Sequence, residues 1–198
     1  MNPANLDLLF GWTLYLSAAA TLATAVTAIL FFTLGGRFGK INDAVSVLQM
    51  LLMLPVSVGL FLLIRHGGAR LALLAAVVGA VGMLVAAMLQ TLLVLDVVKY
   101  EQTITAVLTA GGAIGLWLLL ANILAFSIDA FPSGLAISGI VVGAGYILVA
   151  LGFRIGGQEH PLSYAGAVLV IVGYSVWSIW LGWLFASGRL TLESCTTC

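Results

Sequence analysis

Long apolar runs alternate with short polar connections along this chain, and each run carries the same structural demand. Six stretches free of Asp, Glu, Lys and Arg cover residues 10–34, 44–64, 71–95, 104–125, 135–153 and 162–187. A helix of roughly 20 apolar residues crosses a hydrocarbon core of about 30 Å, so each run predicts one spanning helix. The runs are continuous and lack the in-out alternation of barrel strands. The fold class they predict is all-α: an integral membrane bundle of six transmembrane helices arranged as three antiparallel helical hairpins. It forms a single transmembrane domain over residues 1–198, with a C-terminal tail at 188–198.

The connections suit tight reversal. Gly35-Gly36, Gly67-Gly68 and Gly156-Gly157 lie between runs, and Pro132 and Pro161 stand just before or at helix starts. Pro55 falls mid-run, where it removes a backbone hydrogen bond and predicts a kink near Leu51. Ala18, Ala19 and Ala20 occupy the place of a signal-peptide cleavage region, but no Lys or Arg precedes the first run, which therefore reads as a spanning helix.

Small residues predict where helices touch. Gly111 with Gly115 and Gly139 with Gly143 form two GxxxG patterns, which let backbones approach closely in lipid. Ala18, Ala23, Ala25 and Ala28 give the first helix a slim flank. Trp12 and Trp183 fall at one membrane boundary, as an interfacial belt requires. Tyr174, Trp177, Trp180 and Trp183 recur every three residues and wind around the sixth helix, a spacing that suits packing and lipid anchoring.

Composition narrows the class further. Of 198 residues 63% are hydrophobic and 7% charged, against about 25% charged in an ordinary soluble domain. The net charge is zero, which argues against nucleic acid as a partner. The expected surroundings are the lipid bilayer of a cell membrane, with other membrane-protein subunits or a hydrophobic ligand as further partners.

The polar positions gather on one side. Asp43, Glu101 and Glu159 are spaced 58 residues apart, each in a short polar cluster before an even-numbered run. Three equal hairpins would produce that spacing, and a carboxylate there can cap a helix N-terminus. With six spans these connections share one membrane face, opposite both termini. Arg37, Lys40, Asp96, Lys99, Tyr100 and Arg154 join them, with Gln49 and Gln90 just below in the second and third helices. The ligand-binding candidates are accordingly Gln49, Gln90, Asp96, Glu101, Glu159 and His160, of which His160 alone changes charge near neutral pH when unperturbed.

No catalytic residue and no metal ligand set is assigned, and the cofactor is left open. Lys40 and Lys99 are the only lysines and both sit at membrane edges; His66 and His160 fall on opposite faces, which excludes a bis-histidine haem. Walker, HExxH and GxSxG patterns are absent. Cys195 and Cys198 form one Cys-Thr-Thr-Cys, with no second pair near it in sequence to complete a zinc site.

The stretch from Gly35 to Leu63 (GGRFGKINDAVSVLQMLLMLPVSVGLFLL) and the GGQEHP before the sixth helix resemble uncharacterised bacterial multi-pass membrane proteins of about six helices. That resemblance implies the architecture and no particular substrate. Two function classes follow from the whole sequence. The first, preferred on sequence alone, is a non-catalytic membrane subunit or scaffold packing against partner proteins, pigments or lipids. The second is a binder or transporter of a small molecule or lipid, opening at the polar face.

The count of six places both termini on one side. With Cys195 and Cys198 removed, single cysteines at positions 2 and 196 are expected to react with an impermeant label from the same side. Cysteines in the connections near Asp43, Glu101 and Glu159 should react from the other, and opposite labelling of positions 2 and 196 would overturn the count.

Overall fold

The computed structural model describes residues 3–192 and contains six helices long and apolar enough to cross a membrane. They are α1 (Pro3–Leu34), α2 (Phe38–Ile64), α3 (Ala69–Val94), α4 (Tyr100–Ser127), α5 (Ser133–Gly156) and α6 (Pro161–Ala186). No strand occurs among the described residues. Cys195 and Cys198 lie outside them. The helices outrun the apolar stretches because backbone hydrogen bonding continues into polar residues at the membrane surface. Thus α1 starts at Pro3 and α2 at Phe38, so that Lys40 and Asp43 are helical residues.

Each helix packs on its neighbour in sequence, and the second half of α6 returns to α1, so the hairpins merge into one six-membered ring. Lipid offers no hydrophobic drive between helices, and close approach must come from shape. Glycines supply it. A Cβ on Gly143 of α5 would lie 2.6 Å from the Leu119 nitrogen of α4, and one on Gly115 would lie 2.7 Å from the Gly143 oxygen. Gly139 leaves room for Asn122, whose amide donates to the Leu118 carbonyl (2.8 Å) and accepts from Trp177 Nε1 (3.1 Å), tying α4 to α6. Gly111 differs from these, since its nearest such neighbour is Tyr146 Cδ1 at 3.9 Å.

Two sets of close contacts pull α6 in different directions. Its first half lies against α5, where a Cβ on Gly152 would meet the Ser163 nitrogen at 2.6 Å and one on Gly166 the Gly145 oxygen at 2.6 Å. Its second half lies against α1, where Gly11 faces Gly182, Phe10 meets Phe185 edge-on at 4.7 Å, and Ser17 shares a 2.7 Å hydrogen bond with the Tyr174 hydroxyl. Between the halves the helix widens to π-helical geometry at Leu169–Gly173. The extra residue in the turn absorbs the change of partner.

The turns use an unexpected residue. Asp96 and Asp129 take φ of +56° and +51° at the ends of α3 and α4, a left-handed position that Asp tolerates better than most side chains. There Val97 N donates to the Leu92 carbonyl and Ala130 N to the Ala125 carbonyl, closing both helix ends.

The packing separates one glycine from each of the two GxxxG patterns. Gly143→Ala is expected to destabilise the folded protein by about 1–3 kcal/mol through overpacking, whereas Gly111→Ala should leave it nearly unchanged. Thermal unfolding of both variants in one detergent checks this, and equal losses would remove the distinction.

Candidate functional site

The half of the ring nearest the termini is solid. Leu14, Met53, Leu60, Leu118, Trp177 and Leu181 are each fully buried there. Trp177 and Tyr174 point into this core, while Trp180 and Trp183 face outward. At this end the chain also returns on itself: the Leu192 nitrogen donates to buried Asp7 Oδ1 at 2.9 Å, linking the residues after α6 to the start of α1.

The other half is hollow. A central chamber of about 250 Å³ is walled by all six helices, through Thr21, Gln49, Gln90, Ile114, Tyr146 and Val170 among others. An outer chamber of about 430 Å³ continues it toward the polar face, past Phe31, Asn42, Asp43, Leu93 and Tyr100. The two share Thr24, Ala28, Ser46, Gln90, Val107 and Leu108. Together they form a cul-de-sac that ends on the buried core and does not cross the bundle.

Its wall is mostly apolar; among its polar members Thr21 and Thr24 belong to a row of hydroxyls on α1 that Ser17 and Thr27 extend beyond the lining. Ser17, Thr21, Thr24 and Thr27 follow one another at helical spacing on α1. Each is engaged: Gln49 Nε2 donates to Thr21 Oγ1 (2.9 Å), Thr24 Oγ1 to Gln49 Oε1 (3.3 Å), and Thr27 Oγ1 to Asn42 Oδ1 (3.2 Å). Across the cavity Gln90 Oε1 is buried with no protein donor. A buried amide oxygen without a partner is costly, and Gln90 lines both chambers. The oxygen itself is sealed in the wall, so a turn of the Gln90 amide would present an acceptor to whatever occupies the space.

The six ligand candidates from the sequence are dispersed by the fold. Gln49 and Gln90 line the cavity. Asp96 sits on the rim and forms an ion pair with Lys40, both side chains well exposed. Glu101 and Glu159 are exposed. His160 is the N-cap of α6, its Nδ1 accepting from the Leu162 nitrogen at 3.3 Å.

The equal spacing of three acids does not translate into equal roles. Asp43 stands in the second turn of α2 and faces the outer chamber; Glu101 is in the first turn of α4; Glu159 precedes the cap of α6. At the start of α4 it is the Gln102 side chain that accepts from the Lys99 nitrogen (3.1 Å). Helix ends fall where each turn can close, and that shifts the register from hairpin to hairpin. Among the described residues no group of three His, Cys, Asp or Glu converges as a metal site would require.

The sequence reading passed over Thr21, Thr24, Ser46 and Tyr146. The signal for the first two was the i, i+4, i+7, i+10 row of hydroxyls on α1. Tyr146 and the π-helical residues Val170 and Ile171 left no comparable trace.

Fold and cavity together define a multi-pass membrane protein with an internal pocket that stops at the buried core. Compared with protein-family models, curated proteins and solved structures, the chain matches none.

These placements separate capping from display. His160→Ala should lower stability by about 1 kcal/mol as a lost cap, and Glu159→Gln should leave the melting temperature unchanged. A larger loss for Glu159→Gln in the same thermal assay would reassign the cap.

Proposed function

We propose that this protein binds one small, largely apolar molecule within the ring, its polar group directed at the Gln49–Gln90 level. The carrying observation is a cavity that stops at the buried core, apolar in its inner part but for a few amides and hydroxyls, with the donor-lacking Gln90 oxygen in its wall. Ligand pockets have this character: mostly hydrophobic walls with a few placed polar groups. The reading favours the binder over the subunit or scaffold, because a cavity of this kind contributes nothing to packing against a partner. Open space inside a bundle forfeits dispersion contacts, which a ligand restores.

We read the activity as binding or carriage without chemistry. The pocket holds amides and hydroxyls, with one carboxylate, Asp43, and one ammonium, Lys40, at its mouth. With its resemblance to bacterial multi-pass proteins, we place the chain in a bacterial cell membrane. A blind pocket suits a receptor or carrier that releases its ligand at the side from which it was taken, and a transporter would need the packed half to open.

The pocket is testable with N-phenyl-1-naphthylamine, an apolar fluorophore bearing one N–H donor. In protein held in amphipol, a saturable component of one probe per chain is expected. Gly111→Leu projects a side chain into the chamber without meeting backbone, so it should remove that component and leave the melting temperature within a few degrees. Saturable binding undiminished in the folded Gly111→Leu variant would overturn the proposal.

A further inference from the structure

The seam between α1 and α6 is closed along only half of its length. No Cα of α6 within Pro161–Val168 comes within 8 Å of a Cα of α1. Above the Ser17–Tyr174 hydrogen bond the two helices part. The burial pattern follows the same line: between Leu22 and Leu34 α1 has no buried residue, while from Asp7 to Thr21 it has a full inward face. In α6 before the π-helical stretch, only Ser163 and Gly166 are buried, both against α5.

The gap leads into the pocket. Ala25 and Ala28 on α1, and Ala167 and Val170 on α6, line the central chamber on either side of it. Its rims are small side chains, so the opening is not blocked. Its outer neighbours Val26, Ile29 and Val168 are exposed and apolar, as a surface meeting acyl chains requires. The length is also informative. From Leu22 to Leu34 a helix rises about 18 Å at 1.5 Å per residue, close to the ~15 Å hydrocarbon depth of one leaflet. The closed half of the seam then matches the other leaflet.

We infer that the pocket takes its ligand sideways from the bilayer through the α1/α6 cleft, and that the ligand is an amphipathic lipid carrying a hydroxyl or N–H donor at the base of its headgroup. This rests on the pocket reading above. The donor answers Gln90 Oε1, which has no protein donor and which a turn of the amide presents to the chamber; it lies within the last turn or so of α3, below the polar rim of Asn42, Asp43 and Tyr100. The chain of the lipid occupies the central chamber in part. Its 250 Å³ equals the volume of about eight liquid waters at ~30 Å³ each, which admits a short stretch of one alkyl chain and not two whole chains. The remainder lies in the cleft, in contact with the leaflet it came from.

The test uses the full chain in phospholipid nanodiscs doped with a photoactivatable monoacylglycerol, whose diazirine sits in the acyl chain and whose glycerol supplies donors. Crosslinks mapped by peptide mass spectrometry are expected at Ala25, Ala28, Ala167 and Val170. The corresponding fatty acid methyl ester, which has no donor, should label these sites about threefold to tenfold less, the span expected for one hydrogen bond. That preference should vanish in Gln90→Leu. Ala28→Trp combined with Ala167→Trp should suppress chamber labelling by the membrane probe while leaving annular labelling at Val26 and Ile29 intact.

Crosslinks confined to Val26, Ile29 and similar outward positions in the wild-type chain would overturn the inference, and that measurement needs no variant. Chamber labelling that persists in the folded double-Trp variant would overturn side access and leave the pocket in place, with its ligand admitted at the polar mouth. Equal chamber labelling by the monoacylglycerol and the methyl ester would overturn the donor requirement. Absence of chamber labelling together with absence of saturable N-phenyl-1-naphthylamine binding would overturn the pocket itself.

Discussion

Backbone contact at glycine decides which parts of this bundle are shut. Within a bilayer apolar side chains gain little by leaving lipid for protein, so helices stay together where their surfaces fit closely. Glycine brings backbones together between α3 and α4 at Gly82, α4 and α5 at Gly115 and Gly143, α5 and the first half of α6 at Gly145, Gly152 and Gly166, and α1 and the second half of α6 at Gly11 and Gly182. The same contacts that hold α6 to two partners prevent it from following either for its whole length. The π-helical turn, the cleft beside α1 and the hollow behind it are consequences of that divided allegiance.

Polar residues reinforce this division. In the closed half Asn122 and Trp177 satisfy one another across α4 and α6, and Ser17 pairs with Tyr174 across α1 and α6. These bonds lie away from water and join helices that are distant in sequence, so they act as register pins. In the hollow half Thr21 and Thr27 bond along the α1/α2 wall, while Gln90 Oε1 is buried in the chamber wall without a donor. A core built only for stability would not leave an amide oxygen there, because the unmet desolvation is larger than the worth of the bond when made. The rim charges contribute little to either half: the Lys40–Asp96 pair is well exposed, and such pairs are worth about 0–1 kcal/mol.

Hydropathy needs no partner to act, and for that reason the spanning helices, their number and the all-α class could be read directly from the residues. Each run of roughly 20 apolar residues demands a hydrogen-bonded helix in lipid whatever surrounds it. Gln49 and Gln90 were legible as candidates for a similar reason, since amides within apolar runs are conspicuous. The 58-residue spacing of Asp43, Glu101 and Glu159 was equally visible, yet it described chain length between hairpins. Their roles depended on where each helix began, which turn geometry sets residue by residue.

The sequence by itself determined that the chain is a six-helix membrane bundle with its polar connections on one face, because those features arise from local hydropathy and chain alternation. Only the tertiary structure decided that Gly111 faces a chamber while Gly143 faces a backbone, that Gln90 lacks a donor while Gln49 has one, and that α1 and α6 part company halfway along. Each of these is a relation between surfaces far apart in the chain. A glycine or an amide carries no mark of what will stand opposite it, and the identity of the opposing atom is what turns a packing site into a binding site.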